Sequence, residues 1–452
     1  MPGELGLFNA YINKNADRYI RDLQTMCRQP SVSLQNQGVS EMAEMVIKML
    51  KRIGCTVWTF SIENSKPIIV GEIGAGRQCL MIYNHYDVQP PEPLGQWESG
   101  PFAAVIRNGA IYARGSADIK GNFAARIAAV EAYQKVFQSL PLRVLFVLDG
   151  EEEIGSPHLE AFAQKYGDKL KADACIWEAG YKDAEDRHTI CLGLKGYCAV
   201  ELRARGAATE MHSCWGTVVE SPAWRLIWAL KTLQSEDYRI TLDGIWDHVV
   251  PPTEAEIGLL QAISFGESRI RSNYGLSRFI NDLTGIDLLK KHFFQPALTV
   301  CGLHAGYSGP GVKTTLPNAA VAKLEFRLIP DLTPALIQEL LRKHLNSRGF
   351  EDIQIAPRGG MPPAKSSIHE RIVGVAVEAA REVYGHEPVL YPILPSSGPM
   401  FFLCQGLGIP AVSVGVGYVG SHIHAPNENI RIEDFIQGIK YIGHLLHLFS
   451  QT

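Results

Sequence analysis

Apolar runs of two kinds punctuate the chain, and they predict two kinds of sheet. Cys79–Tyr83, Leu142–Leu148, Ala172–Trp177 and Ile409–Gly415 are almost uninterrupted apolar stretches. Such short runs suit strands covered on both faces, as in a parallel sheet flanked by helices. Val57–Phe60 and Pro67–Val70 predict two further short strands. Helical patterns lie between them. Met42, Met45, Val46, Met49, Leu50 and Ile53 recur at helical spacing with Gly54 as a stop, Gly121–Phe137 is Ala-rich, and Ile368–Tyr384 is amphipathic. From about Lys195 the pattern changes. Gly196–Gly206 and Ala319–Pro330 alternate apolar and polar, as strands with one solvated side do, and Ser221-Pro222 and Thr333-Pro334 open helices through Leu233 and Leu345. The expected fold is α/β: a central, mostly parallel sheet with helices on both faces, interrupted by an inserted α+β domain. Its predicted parts are residues 1–193, the insert 194–360, and 361–452, with a linker at Pro357–Pro363.

A length of 452 residues fits two domains better than one. Hydrophobic content of 46% and a net charge of −4 predict an ordinary globular chain with neither nucleic acid nor membrane as a partner. The first residues lack the basic segment and apolar run of a signal peptide, and the longest apolar stretches are too short to span a bilayer. Nine scattered cysteines without a C-x-x-C pair fit free thiols in a reducing compartment, so the expected location is cytoplasmic.

Chemistry concentrates at the predicted strand ends. The strand ending at Tyr83 runs into His85-x-Asp87, whose side chains leave the chain on one side. Asp118 lies in a Gly-Ser-Ala-Asp turn, Glu151–Glu153 follow the strand ending at Leu148, Glu178 follows Trp177, and His424 follows the last apolar run. Ligand sites of open α/β sheets lie beyond such carboxyl ends. Taken singly, each motif has an ordinary explanation, such as a solvated acidic helix start or a surface histidine. Together, His85, Asp118, Glu153, Glu178 and His424 make a nitrogen and oxygen donor set suited to zinc, with manganese or cobalt as alternatives. Five donors are too many for one open tetrahedral ion. They suit two ions sharing a carboxylate, with Asp118 the natural bridge. Glu152, beside a ligand yet pointing elsewhere, is the candidate general base, and Asp87 the group that orients His85. His188, His248, His292, His344 and His386 have no such context and are expected at the surface.

The segments H-Y-D-V-Q-P (85–90), W-x-S-G-P-F (97–102), R-G-S-A-D-x-K-G (114–121), G-E-E-E-I-G-S (150–156) and H-A-P-N-E (424–428) resemble the di-zinc aminoacylase/glutamate carboxypeptidase/carnosine-dipeptidase family. The resemblance runs from about residue 20 to the C-terminus. It implies the same five ligands, the same base, and a cis peptide after the bridging Asp118. It also implies that the insert is a lid and dimerisation domain. S-G-P-G-V-K-T-T-L-P (308–317) is similar to the dipeptidase branch, which implies a homodimer with His212 and Thr314 reaching into the partner's site. Cys214 stands where that branch has glycine. Arg327, Ser397 and Gly398 are similar to the family's grip on the substrate carboxylate. The implied activity is hydrolysis of dipeptides or short peptides with a free C-terminal carboxylate. An N-acyl-amino-acid deacylase using the same site and a non-catalytic metal-binding scaffold are the alternatives.

Overall fold

The computed structural model describes residues 2–451. In chain order its principal strands are β1 (Thr56–Phe60), β2 (Ile68–Ile73), β3 (Cys79–His85), β4 (Arg143–Asp149), β5 (Ala174–Trp177) and β6 (Thr189–Cys191). They continue as β7 (Gly196–Arg205), β8 (Ala297–Ala305), β9 (Ala319–Leu328), β10 (Gln354–Met361), β11 (Val389–Tyr391) and β12 (Ala411–Ser413). Strands β1 to β6 with β11 and β12 form an eight-stranded sheet in the order β1-β2-β4-β3-β5-β12-β6-β11. Its middle, β4-β3-β5-β12, is parallel, while β1, β2 and the β12–β6 pair are joined antiparallel. Strands β7 to β10 make a separate antiparallel sheet in the order β8-β9-β7-β10.

The two strand types differ for the reason their patterns suggested. Every residue of β3 is buried, because the helix Gly121–Phe137 covers one face and a cluster including Leu159, Phe162 and Leu403 covers the other. In β9 burial alternates: Leu324, Phe326 and Leu328 face a core built with the helices Pro222–Lys231 and Pro334–Ser347.

Arg126 fastens the parallel strands at their carboxyl ends. From within the helix Gly121–Phe137 it donates to the Tyr83, Trp177 and Val414 carbonyls and to Asn84 Oδ1, at 2.6–2.9 Å. A planar guanidinium can hold three strand ends at once in this way.

Three expectations are corrected. Pro357–Met361 is no linker but the second half of β10, an edge strand that tolerates Pro357 because only one of its sides is paired. Ile368 precedes its helix, which starts at Arg371. His188 and His344 are buried, whereas His248, His292 and His386 are exposed.

His344 is paired on both ring nitrogens, with Thr232 and the Asp243 amide. His188 has no hydrogen bond on either nitrogen among the described residues and lies between the Tyr384 and Tyr441 rings at 4.5 and 4.6 Å. Burial, with the charges of Lys182 and His386, pushes its pKa down to about 3. The unfolded chain therefore takes a proton near pH 6.5 that the folded chain refuses. Stability should fall on acidification from about pH 6.5 towards 3, by up to ~1.4 kcal/mol per pH unit from this group. Urea unfolding across that range should lose this component of the slope in His188→Phe; an unchanged slope would contradict it.

Candidate active site

Three strand ends, a turn and a loop bring the predicted residues together. His85 closes β3 and Glu178 follows β5; Glu152 and Glu153 lie in a single turn (Glu152–Ile154) after β4; Asp118 lies in the turn Ser116–Lys120 before the helix Gly121–Phe137. Gly115 enters that turn at φ +84°, and a Cβ there would stand 2.6 Å from Val88 Cγ1, so the position requires glycine. The Asp118–Ile119 peptide is cis, as the resemblance implies. His424 sits in a loop with φ +61°, and His422 and Asn427 nearby are also left-handed. Non-glycine residues in that region mark a backbone held in place by its surroundings.

Asp118 stands between the two histidines. Its Oδ1 is 3.2 Å from His85 Nε2 and its Oδ2 is 3.0 Å from His424 Nε2. Glu178 Oε2 lies 3.9 Å from His85 Nε2, and Glu153 Oε2 lies 3.2 Å from His424 Nε2. The five residues thus form two halves sharing one carboxylate. His85, Asp118 and Glu153 offer ligand atoms within 4.8 Å of one another. Glu152 reaches the cluster from the His85 side, at 3.9 Å from Nε2.

The electrostatics fit cations. Glu153 Oε1 and Glu178 Oε2 are buried with no hydrogen-bond partner among the described residues, a costly state for carboxylate oxygens unless a positive ion meets them. Burial and the neighbouring carboxylates push Glu178 up to about 7 and Glu152 well above the ordinary glutamate range. Burial alone would depress His85, yet its bonds to Asp118 and Asp87 hold it well above 6.5. Bonds to Asp118 and Glu153 raise His424 to about 10. Protons held on these groups occupy the role that divalent cations fill in such a donor set.

Two supporting residues were only partly foreseen. Asp87 approaches His85 Nδ1 at 3.3 Å, as expected of an orienting group. It also accepts from the backbone N–H of Glu152 and Glu153, at 3.2 and 3.0 Å, and so sets the turn carrying the base and a ligand. Glu428, quoted within a motif but given no role, is fully buried. It accepts from Arg114 at 2.7 Å and from the N–H groups of Gly115, Ala117 and Asp118 at 2.9 Å. Nothing in local periodicity pairs it with a turn more than 300 residues earlier.

The remaining predicted residues lie in two places. Arg327, on β9, donates from Nη1 to Ser397 Oγ at 2.7 Å, with Nε 2.8 Å from Glu325. A Cβ at Gly398 would meet Leu194 Cδ1 at 2.9 Å and Glu178 Oε1 at 3.6 Å, so this loop abuts the cluster. His212, exposed, lies in a two-residue ladder, Met211–His212 against Thr315–Leu316, and its Nδ1 accepts from the Cys214 N–H; Thr314 precedes that ladder and accepts from the Ser213 N–H. No contact joins either to the five-residue cluster among the described residues.

The sequence pattern of Peptidase family M20/M25/M40 matches residues 81–448. The chain belongs to this family. Among curated relatives, human Beta-Ala-His dipeptidase is 26% identical, the match covering 95% of this chain and 90% of that protein. Cys-Gly metallodipeptidase DUG1 of Candida albicans is 25% identical, covering 96% and 95%. Among solved structures, the M20 family metallo-carboxypeptidase Sso-CP2 from Sulfolobus solfataricus superposes with a TM-score of 0.89 at 34% identity, covering 96% of this chain and 99% of that one. As a family member the chain is a hydrolase, and no helix among the described residues is long and apolar enough to cross a membrane.

Proposed function

We propose that the protein is a metal-dependent peptidase hydrolysing dipeptides or short peptides that carry a free C-terminal carboxylate. The observation that carries this reading is the placement of Asp118, with one oxygen towards each histidine and an unpaired glutamate oxygen on either side. The dipeptidase names of relatives matched over nearly their whole length support it. His85 and Glu178 would hold one cation and His424 and Glu153 the other, sharing Asp118; zinc suits this donor set best, with manganese or cobalt possible. Bound there, the pair would supply Lewis acidity to the scissile carbonyl and bring the pKa of water towards ~7.

Glu152 then takes the proton of the attacking water and delivers it to the amine nitrogen as the C–N bond breaks. Its burial among carboxylates gives it the proton affinity such a carrier needs. Asp87 and Glu428 touch no substrate and act by position, holding the Glu152–Glu153 turn and the Asp118 turn. Arg327 and Ser397, with the Gly398 backbone, receive the substrate carboxylate. All nine cysteines are free, seven of them buried, which supports a cytoplasmic location.

Residues 194–360 serve as lid and dimerisation domain in this reading, and a second copy of the chain completes the site. The helix Pro222–Lys231 presents Trp224, Ile227 and Trp228 to solvent, and β8 leaves one edge unpaired with Val300 and Leu303 exposed. Such a face favours self-association. It would bring the partner's His212 to the scissile carbonyl as an oxyanion stabiliser, with the partner's Thr314 beside it. Mixing inactive His212→Ala with inactive Glu152→Gln should then restore about a quarter of wild-type activity through hybrid dimers with one intact site. No recovery after verified subunit exchange would assign His212 to its own chain's site or to none.

The test of the reaction is a panel of dipeptides against N-acetyl and N-succinyl amino acids on metal-reconstituted protein. Dipeptides should be the better substrates. Exclusive cleavage of the acylated set would make the protein a deacylase, and no hydrolysis at full metal occupancy would make it a binding protein.

A further inference from the structure

A cavity of about 860 Å³ opens beside Arg327 and Ser397. Ser397 is one residue from Gly398, which abuts Glu178, so the cavity begins at the edge of the reaction centre. Part of its wall is apolar, from Phe279 and Leu288. The rest carries Lys195, Lys291 and Arg327, of which Arg327 is paired at Nε with Glu325, and no aspartate or glutamate is among the lining residues.

Lys195 is almost fully buried and has no carboxylate partner. Its Nζ donates to the His292 and Gln295 carbonyls, at 2.8 and 2.7 Å, beyond which its third N–H has no partner among the described residues. Burial, then the charge of Arg327, pushes its pKa down to about 7. Lys291, half-buried in the helix Gly285–Phe294, forms no close ion pair among the described residues; the acid that senses its charge is the exposed Asp237. Cations crowded together in this way gain from any anion brought among them.

We propose that this cavity is the specificity pocket for the substrate's C-terminal residue and that it selects an acidic side chain. The inference rests on the peptidase reading above. With the α-carboxylate held at Arg327 and Ser397, the side chain leaves the adjacent Cα into the cavity. Its methylenes lie against Phe279 and Leu288, and its carboxylate turns to Lys195 and Lys291. Glutamine fills the same volume but leaves those cations without a counter-charge, so the pocket discriminates by charge and not by size.

The experiment compares kcat/KM for alanyl-glutamate, alanyl-glutamine and alanyl-leucine on the full-length, metal-reconstituted protein at pH 7. Alanyl-glutamate should exceed alanyl-glutamine by at least about tenfold, and in Lys291→Met and Lys291→Gln the ratio should shrink to within about threefold. A wild-type ratio near one, or alanyl-leucine ahead of alanyl-glutamate, overturns the pocket's selectivity while leaving the peptidase reading intact. A ratio unmoved in both Lys291 variants overturns the assignment to this cavity. Hydrolysis of none of the three with metal bound overturns the peptidase reading and this inference together.

Discussion

Glu152→Gln should retain the wild-type metal content and lose about 10²–10⁴-fold in kcat, the range expected when a positioned general base is removed. The amide matches the carboxylate in shape, so the turn held by Asp87 is not disturbed. What disappears is the ability to accept a proton. Metal retention is expected because the two-part arrangement assigns each half its own histidine and glutamate without Glu152, although Glu152 lies as near to His85 Nε2 as Glu178 does, at 3.9 Å. Metal analysis beside steady-state kinetics separates the roles. Loss of one ion would make Glu152 a ligand, and near-normal turnover would move the base elsewhere.

Asp118→Ala should release both ions, and with them all activity. One oxygen of this carboxylate faces each histidine, so its removal takes a donor from both halves and lets two cations repel without a shared anion. Glu178→Ala and Glu153→Ala should each weaken one half only. Elemental analysis after dialysis would therefore find no metal in the first variant and a partial complement in the other two. Two ions retained in Asp118→Ala would mean that each half holds its cation unaided and that the bridge is misassigned.

The sequence discloses the candidate metal cluster more readily than the scaffold around it. Three of the five donors, His85, Glu153 and Glu178, follow the ends of apolar strands, a local signal repeated, because a buried strand and the polar residue that ends it are neighbours in the chain. The same locality explains what was overlooked. Glu428 is a buried carboxylate whose donors lie more than 300 residues earlier, and no periodicity records such a pairing. His188 looks like a surface histidine until two tyrosines from the helices Arg371–Tyr384 and Ile432–Gln451 close over it. The helices between Glu254 and Phe294 pack in part against β6 and β11, strands of the other sheet, a placement that no local pattern records. Pro357-Arg-Gly-Gly looks like a linker by composition, yet an edge strand needs pairing on one side only and so admits those residues.

The Glu428 carboxylate has a bearing on biosynthesis. It seats Asp118 through a contact spanning 310 positions, and His424 arrives on the same loop. A ribosome-bound or prematurely terminated chain would already own His85, Asp118, Glu153 and Glu178 but have nothing to lock the shared aspartate in register. Assembly of the site is thereby deferred until the segment carrying His424 and Glu428 has been made.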